Sequence, residues 1–184
     1  MTAAIGWQYD DGGRRAAGFR GDADDCVTRA IAIATQVPYR EVYDAINAVA
    51  KAEKTRRGKI GFAAATGRGS SARKGVLKRT SKEYIASLGW AWTPTMRIGS
   101  GCTVHLRADE LPRGRLIVSV SRHLCAVIDG VIHDTHNPAA FRGTTIYPPT
   151  YTRELVPKNA RWLENGNGWV YAPERCVYGY WSKP

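Results

Sequence analysis

The chain lacks an apolar run approaching the roughly 20 residues that a membrane-spanning helix needs, since its longest runs are AIAIAT and IGFAAATG. Its N-terminus, MTAAIGWQYDDGG, has neither the basic nor the apolar region of a secretory signal, so we expect none. It also lacks the glycine-rich turn between an early strand and a helix with which P-loop and dinucleotide-binding proteins hold phosphates. These absences argue against a membrane protein, a secreted protein and the common nucleotide-binding folds.

Cysteine is scarce, and its spacing forms no recognisable pair. The four cysteines are Cys26, Cys102, Cys125 and Cys176. This pattern is typical of reduced thiols and favours a cytosolic location over a disulfide scaffold. The length of 184 residues, 43% of them hydrophobic, predicts a single folded domain over residues 1–184.

Acidic residues are also few, with 16 against 27 Lys and Arg, for a net charge of +11. The excess lies within residues 51–79, which hold ten basic residues and one acid, Glu53. We expect a basic, Gly- and Ser-rich loop at about 55–79, exposed and mobile. Two roles are open for it: a solvated loop, or a nucleic-acid contact that follows the phosphate backbone. The basic residues that would make this contact are Arg56, Arg57, Lys59, Arg73 and Lys74.

The first half of the chain has a helical pattern and the second half a strand pattern. Apolar spacing predicts a helix from about Cys26 that stops before Pro38, which begins a second helix. A third is predicted over 81–88, with Thr80 as its cap and Gly89 as its stop. Residues 137–174 should loop over the surface. Strands are predicted at 90–93, 103–106, 116–120, 124–128, 131–133 and 176–181. Helices followed by antiparallel strands predict an α+β fold.

Cys26 stands at the first turn of the predicted apolar helix, in the segment GDADDCVTRAIAIAT. The free N–H groups and positive dipole end of a helix N-terminus favour the thiolate form of a cysteine. Three nearby acids, Asp22, Asp24 and Asp25, oppose this effect. Two interpretations are therefore open: a nucleophilic thiol, or a small buried hydrophobic residue.

The segment RLIVSVSRHLCAVIDGVIHDTHNP predicts a hairpin with Asp129-Gly130 as its two-residue turn. In that register Ile128 faces Val131, and His123 and Asp134 become diagonal neighbours on one face of the sheet. This places His123 within reach of a hydrogen bond to the Asp134 carboxylate. A carboxylate in that position fixes the tautomer and orientation of a histidine that acts as a base.

A cysteine on the first long helix, a histidine opening a strand about 100 residues later and an aspartate ending the next strand resemble the papain-like cysteine peptidase superfamily. The layout is most similar to its compact double-glycine-leader peptidases. The segments DCVTRAIAIAT, SRHLCAVIDGVIHDT and RCVYGYW also resemble uncharacterised proteins of bacteriophages and prophages. The resemblance covers about 24–36 and 114–136. It implies a papain-like core in which cysteine-bearing N-terminal helices pack on an antiparallel sheet. It also favours the cytoplasm of a bacterial host as the location, with the virion as an alternative.

The resemblance further implies hydrolysis of a peptide, isopeptide or amide bond in a protein or peptide substrate, without cofactor or metal. Cys26 would be the nucleophile, His123 the base and Asp134 the orienting residue. Those peptidases carry a glutamine about six residues before the cysteine as an oxyanion donor, whereas this chain has Arg20 there. The alternative is therefore a catalytically idle accessory protein that binds nucleic acid or a host partner through its basic segment.

A zinc site is the third interpretation of these residues. Cys102 and His105, together with His133 and His136, would offer four ligands if they met in space. The predicted register places His133 and His136 on opposite faces of the sheet, which argues against this site.

Overall fold

A computed structural model of the chain describes residues 5–59, 70–139, 145–155, 161–162, 166, 168–171 and 175–184. The chain divides into two compact units. The first unit comprises Met1–Asn137 with Cys176–Pro184, and the second comprises Pro138–Arg175. One folding domain over residues 1–184 stays a prediction.

Three α-helices lie in the described part of the chain: α1 (Cys26–Thr35), α2 (Tyr39–Lys59) and α3 (Lys78–Ser87). The end of α1 is as predicted, because Gln36 adopts a left-handed conformation (φ 62°) just before Pro38. The predicted start of α3 is wrong. Thr80 lies inside the helix, where its buried hydroxyl donates to Glu53 Oε2 at 2.8 Å. Gly89, with φ +80°, follows α3 as predicted.

Nine strands are described: β1 (Gly6–Tyr9), β2 (Ala91–Pro94), β3 (Arg115–Val120), β4 (His123–Ile128), β5 (Val131–Asp134), β6 (Thr145–Tyr147), β7 (Arg161–Trp162), β8 (Trp169–Tyr171) and β9 (Val177–Ser182). The first unit holds a six-stranded sheet in the order β1-β5-β4-β3-β9-β2. The fold is therefore α+β, as predicted. The prediction of an antiparallel sheet is wrong at one edge, because β1 pairs with β5 in parallel.

Two other strand predictions are corrected. Residues 103–106 form no strand; only an isolated bridge joins His105 to Cys176. Residues 137–174 are not loop throughout, because the second unit contains a three-stranded antiparallel sheet in the order β6-β8-β7. Its strands are only two or three residues long, so each offers little periodicity from which to predict it.

The β4–β5 hairpin has the predicted register. Ile128 pairs with Val131 and Val127 with Ile132. The two turn residues, Asp129 (φ 49°) and Gly130 (φ 82°), both have the positive φ that a type I′ turn requires. This register fixes which residues of β4 and β5 lie next to each other.

Helix α1 packs across β3, β4 and β5. Its C-terminal end is marked by Arg115, the first residue of β3, whose Nε donates to the Ala34 carbonyl at 2.8 Å. Further along β3, Ile117 is fully buried in the core cluster that contains α1. The helix therefore runs antiparallel to β3, with its N-terminal turn at the Val120 end of that strand.

The prediction of four reduced thiols is wrong for two of them. Cys102 and Cys176 form a disulfide, with Cα atoms 5.7 Å apart and a sequence separation of 74. Cys26 and Cys125 are not part of a disulfide. The pairing is not visible in the sequence because it depends on the fold, which carries residue 102 to the start of β9.

The prediction of a basic loop at about 55–79 is wrong at both ends, because α2 continues to Lys59 and α3 begins at Lys78. Helix α2 continues to Lys59 and so includes Arg56 and Arg57, while residues 60–69 lie outside the described residues. Residues 70–77 are bound to the chain that precedes α1. The Arg73 carbonyl accepts from the Asp24 N–H at 2.9 Å, and the Arg73 guanidinium donates to the carbonyls of Arg20 and Asp22. None of the described helices combines the length and apolar character needed to cross a bilayer.

Candidate functional site

Cys26 is the first residue of α1 and lines a cleft of about 630 Å³ in the first unit. Its side chain is half-buried. The cleft lies over the end of the sheet where β3 turns into β4, and its walls include Val120, His123 and Leu124. The helix places the thiol there because the N-terminal turn of α1 crosses this end of the sheet.

His123 opens β4 and Asp134 ends β5, and the hairpin brings the two side chains together as predicted. His123 Nε2 lies 2.5 Å from Asp134 Oδ2. The other carboxylate oxygen of Asp134 accepts from the Thr135 N–H at 2.7 Å. Both side chains are buried, so the carboxylate holds the imidazole in one orientation.

The Cys26 thiol lies beside the His123 ring, which lowers the pKa of the thiol. Since Nε2 is occupied by Asp134, Nδ1 is the nitrogen that remains for the thiol. The backbone of Leu124 also lowers the pKa of this thiol. The structure thus brings Cys26, His123 and Asp134 together, with the His123–Asp134 hydrogen bond as its observed link.

The pKa values of Cys26 and His123 are displaced in opposite directions. Burial raises the pKa of the Cys26 thiol, but the hydrogen bond to His123 and the positive charge of that ring outweigh it, so the pKa lies below its ordinary value. Burial lowers the pKa of His123, but hydrogen bonds to Asp134 and Cys26 overcome this and raise it to about 9. The electrostatics favour a thiolate beside an imidazolium.

Sequence reasoning missed a buried charge network behind the site. Asp25 is completely buried; its carboxylate pairs with Arg29 and with Arg14 Nε at 3.1 Å, and accepts from the Tyr39 hydroxyl at 2.5 Å. The guanidinium of Arg29 also reaches Asp134 Oδ1, at 3.8 Å. The acid beside Cys26, expected to oppose the thiolate, is therefore neutralised by two arginines. The available signal was the spacing of Asp25 and Arg29 by four residues, with Arg29 the only charge in an otherwise apolar helix.

His136 adds a second imidazole to the site. Its ring centroid lies 4.7 Å from that of His123, and its Nδ1 is 3.8 Å from Asp134 Oδ1. His123, Asp134 and His136 each offer one ligand atom within 4.8 Å of the others, so these three could hold a metal ion. Such an ion would have to replace the hydrogen bond between His123 and Asp134.

The structure does not assemble the zinc site considered from the sequence. Cys102 is bonded to Cys176, so it offers no thiolate to a metal. His105 Nδ1 lies 3.1 Å from Glu110 Oε2, and His133 Nδ1 lies 3.4 Å from Asp10 Oδ2.

The nucleic-acid contact remains a prediction, with one change. Arg73 is held against backbone carbonyls, so its guanidinium does not project freely from a loop. Lys74 is exposed, and Arg56, Arg57 and Lys59 belong to the last turns of α2.

We expect iodoacetamide to alkylate Cys26 faster than Cys125 at pH 6.5. The pKa of Cys26 is lowered and its side chain reaches the cleft, whereas Cys125 is 1% exposed on β4. Cys102 and Cys176 should react only after reduction. Mass spectrometry of peptides from a time course, with and without prior reduction, measures each rate. Equal rates at Cys26 and Cys125 in the unreduced protein would contradict a paired thiolate.

No protein-family model, curated protein or solved structure matches the chain.

Proposed function

We propose that this protein is a cysteine-dependent hydrolase with a papain-like core, and that it cleaves a peptide, isopeptide or amide bond. The observation that supports the proposal is the grouping of Cys26, His123 and Asp134, with the thiol in the cleft beside a histidine that Asp134 orients. A nucleophile, a base within hydrogen-bonding distance and a third group that orients the base are what covalent thiol catalysis requires.

The chemistry proceeds through a thioester. The Cys26 thiolate attacks the carbonyl carbon of the substrate, and the carbonyl π electrons move to oxygen to give a tetrahedral oxyanion. The oxyanion collapses and breaks the C–N bond, while the His123 imidazolium gives its proton to the leaving amine. His123, now neutral, takes a proton from water as the water attacks the thioester. Collapse of the second intermediate releases the carboxylic acid and restores the thiolate–imidazolium pair.

Asp134 acts in both the acylation and the deacylation steps. Its hydrogen bond to Nε2 keeps Nδ1 directed at the thiol and stabilises the positive charge on the ring. The carboxylate is fixed in turn by the Thr135 N–H and lies near the buried Arg29. The backbone N–H of Cys26 is one donor for the oxyanion, because the first N–H groups of a helix have no partner within it.

The proposal predicts a burst of p-nitrophenolate when the protein is mixed with p-nitrophenyl acetate. The burst amplitude should approach one equivalent per site, and the acetyl group should be found on Cys26 by peptide mass spectrometry. Cys26→Ala should abolish the burst, since no other described thiol lines the cleft. Cys125→Ala is the matched control: it removes the other thiol that is not in a disulfide and should keep the burst.

Two outcomes would overturn this function. One is the absence of a Cys26-dependent burst in folded wild-type protein. The other is turnover that persists in Cys26→Ala and is lost with a chelator, because that would assign catalysis to a metal held by His123, Asp134 and His136.

A further inference from the structure

Ser119 follows three apolar residues in β3, RLIVSV. Its side chain is buried, with 7% of its surface exposed, yet it lines the same cleft as Cys26 and His123. Among the described residues its hydroxyl makes no hydrogen bond to the protein, and its oxygen is not one of the fully buried unpartnered atoms, so it opens into the cleft. A hydroxyl in the wall of a cleft is available to donate to a ligand that enters it.

The fold places this hydroxyl below the N-terminal turn of α1. Alternate residues of a strand share a face, so Ser119 projects on the same face as Ile117, which packs in the cluster with α1. Ser119 also pairs directly with Leu124 across β3 and β4. Leu124 also lies close enough to Cys26 to lower the pKa of its thiol, and Ser119, Leu124 and Cys26 all line the same cleft.

We propose that the Ser119 hydroxyl is the second donor to the oxyanion, acting together with the backbone N–H of Cys26. This inference rests on the proposed function, and it fills the role that glutamine would have if this chain carried one near position 20. Lys78 and Arg122 also line the cleft, but both are exposed and must be ordered from solution before they can donate. The backbone of Ser119 is held by the sheet, so its hydroxyl is in the cleft wall before the substrate arrives.

The hydroxyl forms and breaks no covalent bond. As the thiolate adds to the carbonyl carbon and the π electrons move to oxygen, the O–H of Ser119 donates a hydrogen bond to the new negative charge. It keeps its proton when the intermediate collapses and the C–N bond, or the C–O bond of an ester, breaks. Alkylation by iodoacetamide displaces iodide at a saturated carbon and develops no oxyanion, so this donor is not needed for it.

The test compares two reactions of the same thiol in Ser119→Ala. We expect the rate constant for acylation by p-nitrophenyl acetate to fall by about 10²-fold or more, the usual loss for one oxyanion donor. The rate of Cys26 alkylation by iodoacetamide should stay within about twofold of wild type, which also shows that the site is folded. Ser119→Thr keeps a hydroxyl and should recover most of the acylation rate. The matched control is Ser182→Ala, at the opposite end of the sheet, where Ser182 pairs with Leu116.

The results of this experiment distinguish failure of the inference about Ser119 from failure of the proposed function. Unchanged acylation in Ser119→Ala overturns the inference and leaves the proposed function intact. An equal fall in acylation and alkylation also overturns it, because the hydroxyl would then act on the thiolate and not on the oxyanion. Absence of a Cys26-dependent burst in the wild-type protein is the separate failure of the proposed function, and it removes this inference with it.

Discussion

Asp25→Ala is expected to lower the free energy of unfolding by about 3–5 kcal/mol, the usual cost of removing one partner from a buried ion pair. The carboxylate is completely buried between Arg14 and Arg29, whose side chains are only 15% and 11% exposed. Its removal leaves both guanidinium groups without their shared counter-charge and takes the partner from the Tyr39 hydroxyl. Urea denaturation at pH 7, followed by circular dichroism, measures the change.

The neighbouring acid supplies the control for this experiment. Asp24 is exposed, so Asp24→Ala should change the free energy of unfolding by no more than about 0.5 kcal/mol. Asp25→Asn keeps an acceptor for Tyr39 and should fall between the two. Similar midpoints for Asp24→Ala and Asp25→Ala would show that the network contributes nothing to stability.

His123→Ala is expected to slow alkylation of Cys26 at pH 7 by about tenfold or more. Burial raises the pKa of this thiol, and only the hydrogen bonds and charges around it, chiefly those of His123, bring it below its ordinary value. Without the ring, burial dominates and the protonated thiol prevails at neutral pH. The rate of alkylation measured between pH 5 and 10 should show the inflection moving to higher pH in the variant. An unmoved inflection would mean that His123 does not stabilise the thiolate.

Cys26 and His123 also set the pH range over which the protein should hydrolyse a bond whose leaving group is an amine. The pKa of His123 is raised to about 9, so the imidazolium needed to protonate the amine is lost as the pH rises through that value. The acid limb reflects the thiol and should lie below the ordinary range of a cysteine. For stability, the contribution of His123 is fully present below about 6.5, its ordinary pKa, and disappears as the pH rises toward 9.

Local patterns in the sequence were sufficient for the centre of the sheet and the two elements that hold the site. Asp129-Gly130 fixed the turn, and alternation fixed which side chains face each other, so the contact between His123 and Asp134 followed from register alone. The start of α1 at Cys26 followed from its apolar spacing, and its end followed from Pro38.

The failures involve residues whose partners are distant in the sequence. Strand β1 is four exposed residues at a sheet edge, so it carries no pattern of burial. Thr80 has the sequence of a helix cap, but its partner is Glu53 on another helix. In the sequence Arg73 is one charge in a basic run, yet in the fold its guanidinium donates to the backbone carbonyls of Arg20 and Asp22. Ser119 can be recognised in the sequence as a hydroxyl in a mostly apolar strand, but its place beside Cys26 depends on how α1 packs across β3.

The disulfide between Cys102 and Cys176 has a consequence for how the chain tolerates cleavage. Strand β9 follows directly after Cys176 and occupies an interior position of the six-stranded sheet, between β3 and β2. The whole second unit, Pro138–Arg175, lies between the two linked cysteines in the sequence. A protease that cuts the backbone anywhere in that unit therefore leaves β9 covalently tethered to the N-terminal fragment through Cys102. The nicked protein keeps its molecular mass on a non-reducing gel, and it separates into two fragments only when the disulfide is reduced.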